Sequence, residues 1–550
     1  MRHPFINRFA AQSASTLTSH IRKRAKAAGK TLLMSSAAAV MALQAAAQDV
    51  TVVIDPIASE SNLYWETEGA FMLPSLQGLV GNNPETGKYD TSGLAESWKA
   101  NEDLTSWTFT LKPQAEFHDG WGPVTAEDVV HSFNLHIGDD SRLSGIGNLR
   151  DATVTAVDAQ TVRFDLPAPQ ADFLFMLAGR GVLAIYSKAQ FDAEGLEGYK
   201  TKPAGTSPLV YESSELGQGM TFSTAQDHWS GVDADYDTLS IRFVGEAATK
   251  LAMLLSHEAD IVSLSRELQP QALDAGFEIL ASTQGASQTS MVFGALYTDP
   301  EGGELPTGLP WADVRVREAM NRALDRSQLL EVLYDGRAEA LPVFTMDAQY
   351  EGYTPALADR FDADYGYDPE RAMALLAEAG YPDAFGDPVI PIIVTSLPGN
   401  PEFPLISELA QAYFEAVGLQ TEMREMDGAS ILSARRDRNA PWIMPVRNAP
   451  IRPAQVGLQV YFSKVNRPTA YVDDAQINSV FDELAASTDM AERDALASQI
   501  FTKLYDDYTH MPLAKIFAEV TVDPDTITGW TFPGSTSSGL SHFELIKTAE

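Results

Sequence analysis

The chain of 550 residues has no cysteine. That removes disulfides, thiolate metal sites, cysteine nucleophiles and any lipid anchor carried on a cysteine. Positive charge is scarce: 39 Lys and Arg stand against 75 Asp and Glu, a formal net charge of −36. Such a surface repels nucleic-acid phosphates and anionic lipid head groups, so no nucleic-acid partner is expected. Histidine is sparse, nine in all, without an evident cluster. His131 and His136 lie five apart, off the spacing of three or four that aligns side chains on a helix face. No metal site and no cofactor are expected. After residue 47 there is no G-x-S-x-G elbow, no S-x-x-K and no H-E-x-x-H, so the common hydrolase signatures are missing. Nor does that part hold an apolar run long enough to span a bilayer.

What is present first is an address. Residues 1–30 carry Arg2, Arg8, Arg22, Lys23, Arg24, Lys26 and Lys30 and no acid. The apolar stretch Thr31–Leu43 follows, and Ala45-Ala46-Ala47 closes it as a small-x-small cleavage site. Basic, then apolar, then small is the order of a secretory signal. Cleavage is expected after Ala47, leaving a charge of −36 − 7 = −43. A mitochondrial-type presequence is the rival reading of the long basic region. Without a lipid anchor an exported chain needs an outer membrane to retain it, which points to a Gram-negative periplasm.

The whole chain is 45% hydrophobic, and the part after the signal segment is too long for one ordinary domain. Strand-like and helix-like patterns alternate along it, which predicts α/β lobes. Thr51–Ile54 is a β-branched run ended by Asp55-Pro56, and reads as a buried strand. Trp107–Leu111 and Thr161–Leu166 alternate with period two and read as strands, as do Leu239–Val244 and Val389–Thr395. Ala259–Val262 begins another. Thr125 and Asp128 mark a helix start as a short capping box, with Val129, Val130 and Phe133 behind them. Thr249–Ser256, Pro369–Ala379, Ile406–Val417 and Ala491–Tyr508 read as helices, with Gly380 and Gly418 as stops. Asp313–Asp335 reads as one long helix stopped by Gly336. Arg315, Arg322 and Arg326 on it are expected to make exposed pairs with acids such as Glu318 and Asp325, each worth little. Asp299–Pro310, rich in Gly, Pro and acids, reads as a crossing between lobes.

Five segments carry a resemblance. Gly93-Leu94-Ala95-Glu96-Ser97-Trp98 leads through Phe117-His118-Asp119-Gly120 to Val124-Thr125-Ala126-Glu127-Asp128-Val129. Pro203-Ala204-Gly205-Thr206-Ser207-Pro208 is the second, Asp227-His228-Trp229-Ser230-Gly231 the third and Ala248–Ile261 the fourth. The fifth is the DVRVR-x-A helix that begins at Asp313 and reaches Asp325-Arg326. In this order the set resembles the extracellular solute-binding proteins of family 5, the dipeptide/oligopeptide/nickel-binding type. Most of these residues read as scaffold: Trp98 and Trp107 as core, His118 and Asp119 as a turn in which Gly120 supplies a positive φ.

The resemblance implies a two-lobed periplasmic-binding-protein fold of type II, with a hinge and an interlobe ligand cleft. It implies a first lobe over residues 48–295 with an extra subdomain at about 85–200, a second over 296–511, and a tail, 512–550, returning to the first. It implies a monomeric receptor, not an enzyme, that delivers a small solute to an inner-membrane ABC permease. A secreted hydrolase of peptides or glycans, and a chaperone or signalling receptor of the same fold, are the rival functions. Peptide-binding members hold the peptide ammonium with an Asp in a W-x-x-D-Y-P-D-P segment. Here the matching stretch, Trp442–Pro450, has Arg447 and no Asp. A guanidinium fork suits a carboxylate or phosphate, so Arg447 is a candidate for an anionic ligand group. Trp442 and Asn448 beside it, and Tyr64 and Trp65 after the first strand, are further candidates. Peptides, opine-like conjugates, oligosaccharides and other anions all remain open as the solute.

Overall fold

The structure is a computed structural model. It describes residues 48–57, 59–67, 71–143, 146, 149–179, 183–297, 308–397, 400–448, 452–462, 470–534 and 540–549. The expected signal segment, and most of the Asp299–Pro310 stretch, lie outside the described residues.

Asp49–Ile54 runs parallel to Thr238–Phe243 on one side and to Ile261–Val262 on the other. Its run of Val and Ile does not alternate because both faces are covered. Val50 and Val52 enter one hydrophobic cluster, while Val53 packs with Leu251 and Leu254 on the opposite face. These strands belong to an eleven-stranded sheet. Its spatial order is Leu209–Glu215, Gly219–Thr224, Thr238–Phe243, Asp49–Ile54, Ile261–Val262, His510–Val522, Glu278–Phe293, Ile443–Asn448, Val389–Val394 and Gln420–Glu425. The short strand Glu339–Ala340 pairs with His510–Val522.

Two strands stand out by length: Glu278–Phe293 has 16 residues and His510–Val522 has 13. They pair antiparallel, with register shifts between Ala281 and Gly285 and between Gly285 and Ser287. Such bulges bend a strand and raise its local twist. Each strand passes from one hydrophobic core into another. Leu280, Val520 and Val522 pack with the first; Met291, Val292, Phe293, Met511, Leu513 and Ile516 pack with the second. The first core also gathers Trp530, Phe532, Phe543 and Ile546 from the C-terminal residues.

A separate four-stranded antiparallel sheet, Ala95–Ala100, Ser106–Leu111, Thr161–Asp165 and Thr153–Asp158, joins the first core. Phe164 is its hub, meeting Phe109, Phe133 and Phe173 edge-on at 5.6, 5.3 and 5.4 Å. Helix Ala126–Ile137 starts as expected. The Thr125 N–H and hydroxyl both donate to Asp128 Oδ2, at 2.8 and 2.7 Å.

The expected long helix is two. Val314–Ala323 ends where Leu324 turns extended, and Arg326–Tyr334 begins with Asp325 as its cap, accepting from the Gln328 N–H at 3.0 Å. An aspartate serves a helix start better than a helix interior, where its carboxylate competes for backbone donors. The expectation for Arg326 is also corrected: it is buried and does not pair with Asp325. Its guanidinium donates to the carbonyls of Pro512, Asn321 and Tyr365 and to Asn321 Oδ1. Burial lowers its pKa to about 10. Arg322 does pair with Glu318, at 2.8 Å, and Arg315 pairs with Asp313 at 2.6 Å.

Candidate functional site

The segments that carry the family resemblance meet one another. His118 Nε2 lies 2.8 Å from the Ser207 carbonyl, and the His118 N–H donates to the Gly205 carbonyl at 2.9 Å. His228 Nε2 and the Trp229 indole N–H both reach the Thr206 carbonyl, each at 2.9 Å. Gly205 is required here, because a Cβ on it would sit 1.9 Å from the Ser75 carbonyl oxygen. Burial lowers the pKa of both histidines. Asp119 and Gly120 both take positive φ, 56° and 75°, and the Asp119 carboxylate faces Lys202 at 3.4 Å. These residues hold the chain in place.

Tyr64 and Trp65 lie in a short turn, Tyr64–Glu66, inside the first core. The Tyr64 N–H donates to the Tyr186 hydroxyl at 2.9 Å. Trp65 meets Tyr186 and His136 edge-on at 5.2 and 5.5 Å. Tyr64 also borders a cavity of about 170 Å³ within that part of the molecule.

Arg447, Trp442 and Asn448 belong to the second core region. Val389–Val394 and Ile443–Asn448 are parallel, and the ends of such strands are where α/β sheets present ligand-binding loops. Arg447 lies at this end, in register with Thr289 of the long strand. Its Nε donates to Ser287 Oγ at 2.9 Å, and its carbonyl accepts from the Tyr461 hydroxyl at 2.8 Å. Glu402 stands 3.9 Å away, a loose ion pair. Arg447 lines a cavity of about 280 Å³ together with Phe403, Arg435, Met444, Tyr461 and Tyr471. Trp442 is packed in the core, and neither it nor Asn448 is among the described residues lining that cavity. The Trp442 indole nitrogen and Asn448 Oδ1 are enclosed without a hydrogen-bond partner among the described residues. Buried polar atoms are seldom left so. The structure thus joins Arg447 to a cavity, sets Trp442 and Asn448 beside it, and places Tyr64 and Trp65 in the other core.

Sequence reasoning did not find Arg435, Tyr461 or Tyr471. Arg435 closes helix Gly428–Arg436, and its guanidinium lies 3.7 Å from the centre of the Tyr471 ring. The signal available was slight: an Arg pair at a helix end and two tyrosines ten residues apart in a stretch without periodicity.

Residues 91–468 match the family model described as bacterial extracellular solute-binding proteins, family 5 middle. The chain belongs to this family. It is 28% identical over 357 residues to heme-binding protein A of Haemophilus influenzae, covering 60% of each chain. It is 27% identical over 377 residues to the dipeptide-binding protein of Escherichia coli, covering 64% of this chain and 66% of the relative. The chain thus spans a little under two thirds of the length of these relatives. The solved structure of HbpA2 from Haemophilus parasuis superposes with a TM-score of 0.74 at 22% identity, over 91% of this chain and 100% of the other. The fold is therefore that of the family: α/β, two-lobed, with a large central sheet. Family members are periplasmic or extracellular binding proteins. Among the described residues no helix is long and apolar enough to cross a membrane.

Proposed function

We propose that this chain is an exported receptor that captures a small solute between two lobes and hands it to an inner-membrane ABC permease. Family membership supports the class of function. The observation that carries the reading is the pair of long strands running from one hydrophobic core into the other. Two bent strands joining two cores are the parts of a hinge. The lobes follow the boundaries 48–295, 296–511 and 512–550. The side chains change cores between Leu280 and Met291, and back between Ile516 and Val520, so the crossings lie close to the bounds at 295 and 512 without coinciding with them. Closure must be favoured by the solute itself, through contacts better made in the closed form.

Arg447 meets an anionic group of the solute. Its place at the strand ends, its lining of a cavity and its hydrogen bond to Ser287 on a crossing strand support this role. The chain acts as a periplasmic monomer, with its signal segment removed after about Ala47.

The test is a thermal-shift panel on residues 48–550, stripped of solute by unfolding and refolding. The panel holds di- to oligopeptides, opine-like dicarboxylates, oligosaccharides and nickel complexes. A solute at about 100 times its Kd adds roughly 2.7 kcal/mol to the folded state. One class is expected to raise the melting temperature and be recovered unchanged. Turnover of the stabilising solute would contradict a receptor and favour a secreted hydrolase.

A further inference from the structure

We propose that the cavity of about 280 Å³ beside Arg447 takes a dianionic solute with an apolar body, gripped by Arg447 and by a second guanidinium, Arg435. The inference deepens the receptor reading and rests on it.

Charge is the first argument. Among the described residues that line this cavity, two are cationic and none is acidic. That is a local inversion in a chain whose formal net charge is −36. Glu402 stands 3.9 Å from Arg447 but outside the lining, so the wall itself presents two guanidiniums, and a double negative charge between them is attracted by both. An acidic protein that admits an anion also needs local cations to overcome its own field.

Geometry is the second. The guanidinium of Arg435 sits over the ring of Tyr471, which is 4% exposed and so held by its surroundings. A cation over a fixed aromatic face is attracted by the ring and loses rotational freedom in advance. The Tyr471 ring runs parallel to that of Tyr461, with 10° between the planes and 6.3 Å between centroids. The Tyr461 hydroxyl in turn donates to the Arg447 carbonyl, and Ser287 fixes the Arg447 Nε. Arg435, Tyr471, Tyr461 and Arg447 form one connected frame. A frame set before binding lowers the ordering cost of the complex.

The rest of the wall sets the ligand body. Phe403 and Met444 add apolar surface to the lining. The volume, about 280 Å³, lies at the small end of ligand pockets. This fits an aromatic or branched solute of modest size carrying either two carboxylates or one phosphate monoester. Both are dianions, and the probes below separate them.

Calorimetric titration of residues 48–550 tests the proposal with four probes: terephthalate, its monoamide, its diamide and phenyl phosphate. At least one dianion is expected to bind, and the diamide is not. Arg435→Gln should weaken the dianion at least tenfold and change the monoanion less than threefold, with the far-ultraviolet circular dichroism of the free chain unchanged. Arg435→Lys, which keeps the charge, should recover part of the loss. Which dianion binds identifies the anionic group. Equal binding of diamide and dianion, an unchanged dianion affinity in Arg435→Gln, or no binding of either dianion would each overturn the proposal. A panel solute that raises the melting temperature with an affinity indifferent to Arg435→Gln and Arg447→Gln would leave the receptor reading standing and remove this one.

Discussion

Arg326 has three carbonyl oxygens and an amide oxygen around its guanidinium, drawn from a crossing strand, from Asn321 in the helix before its own and from Tyr365. Removing it strands those acceptors in the core. Arg326→Met is expected to cost about 3 kcal/mol or more, read as a lower urea midpoint, because buried acceptors lose a charged donor. Arg322, 14% exposed and paired with Glu318, is the contrast: its guanidinium serves one carboxylate and the Ala363 carbonyl, so Arg322→Ala should cost less than Arg326→Met, about 1–2 kcal/mol. Both were alike in sequence, two cations on one helical stretch. Only the packing of His510–Val522 against them tells them apart. His136 gives a pH signature. It is wholly enclosed, and burial lowers its pKa to about 4. Below the ordinary value near 6.5, the unfolded chain takes up a proton that the folded chain refuses. The contribution is complete above pH 6.5 and is lost as pH falls toward 4, to the extent of about 3 kcal/mol. His510 shifts the same way, to about 3. Urea unfolding between pH 7 and 4.5 should show the fall, with a shallower slope in His136→Gln. An equal slope in that variant contradicts the assignment. For binding, Arg447→Ala should lower solute affinity at least about tenfold, as loss of a charged hydrogen bond requires, with the far-ultraviolet circular dichroism of the free chain unchanged.

At the scale of elements, what sequence showed depended on contrast with solvent. Ser106–Leu111 alternates in burial along its length, so its pattern was legible. The capping box at Thr125 was legible because it is local. The break at Asp325 was hidden, since Val314–Ala323 and Arg326–Tyr334 bury onto the same core and keep one apolar rhythm across it. Asp325→Ala should cost about 1 kcal/mol in urea unfolding, the usual worth of a helix cap. The crossing strand Glu278–Phe293 escaped for a different reason. Its Ser287, Gln288, Thr289 and Ser290 are polar, so hydropathy reads them as loop, yet all are fully buried. Gln288 holds the Met346 carbonyl and the Thr345 N–H, and Ser290 holds the Met511 carbonyl. Satisfied polar groups can fill a core, and hydropathy does not register the partners.

For the whole molecule, the ordered motifs identified the family because they build the scaffold. His118, His228 and Trp229 all serve the one turn at Thr206-Ser207. The same fact explains why they said little about the solute. The cavity at Arg447 draws on separate parts of the chain, Leu397, Asn400 and Phe403, the helix ending at Arg436, and Tyr461 with Tyr471, which meet only in the fold. One residue of that set, Arg447, could be seen in advance because it replaces an expected acid. The central claim is that two lobes close on a solute that leaves unchanged. Small-angle X-ray scattering of residues 48–550, stripped and then saturated with the solute that raises its melting temperature, measures this most directly. A smaller radius of gyration on saturation and recovery of intact solute are expected. An unchanged radius at full occupancy, or solute recovered as product, would contradict that claim.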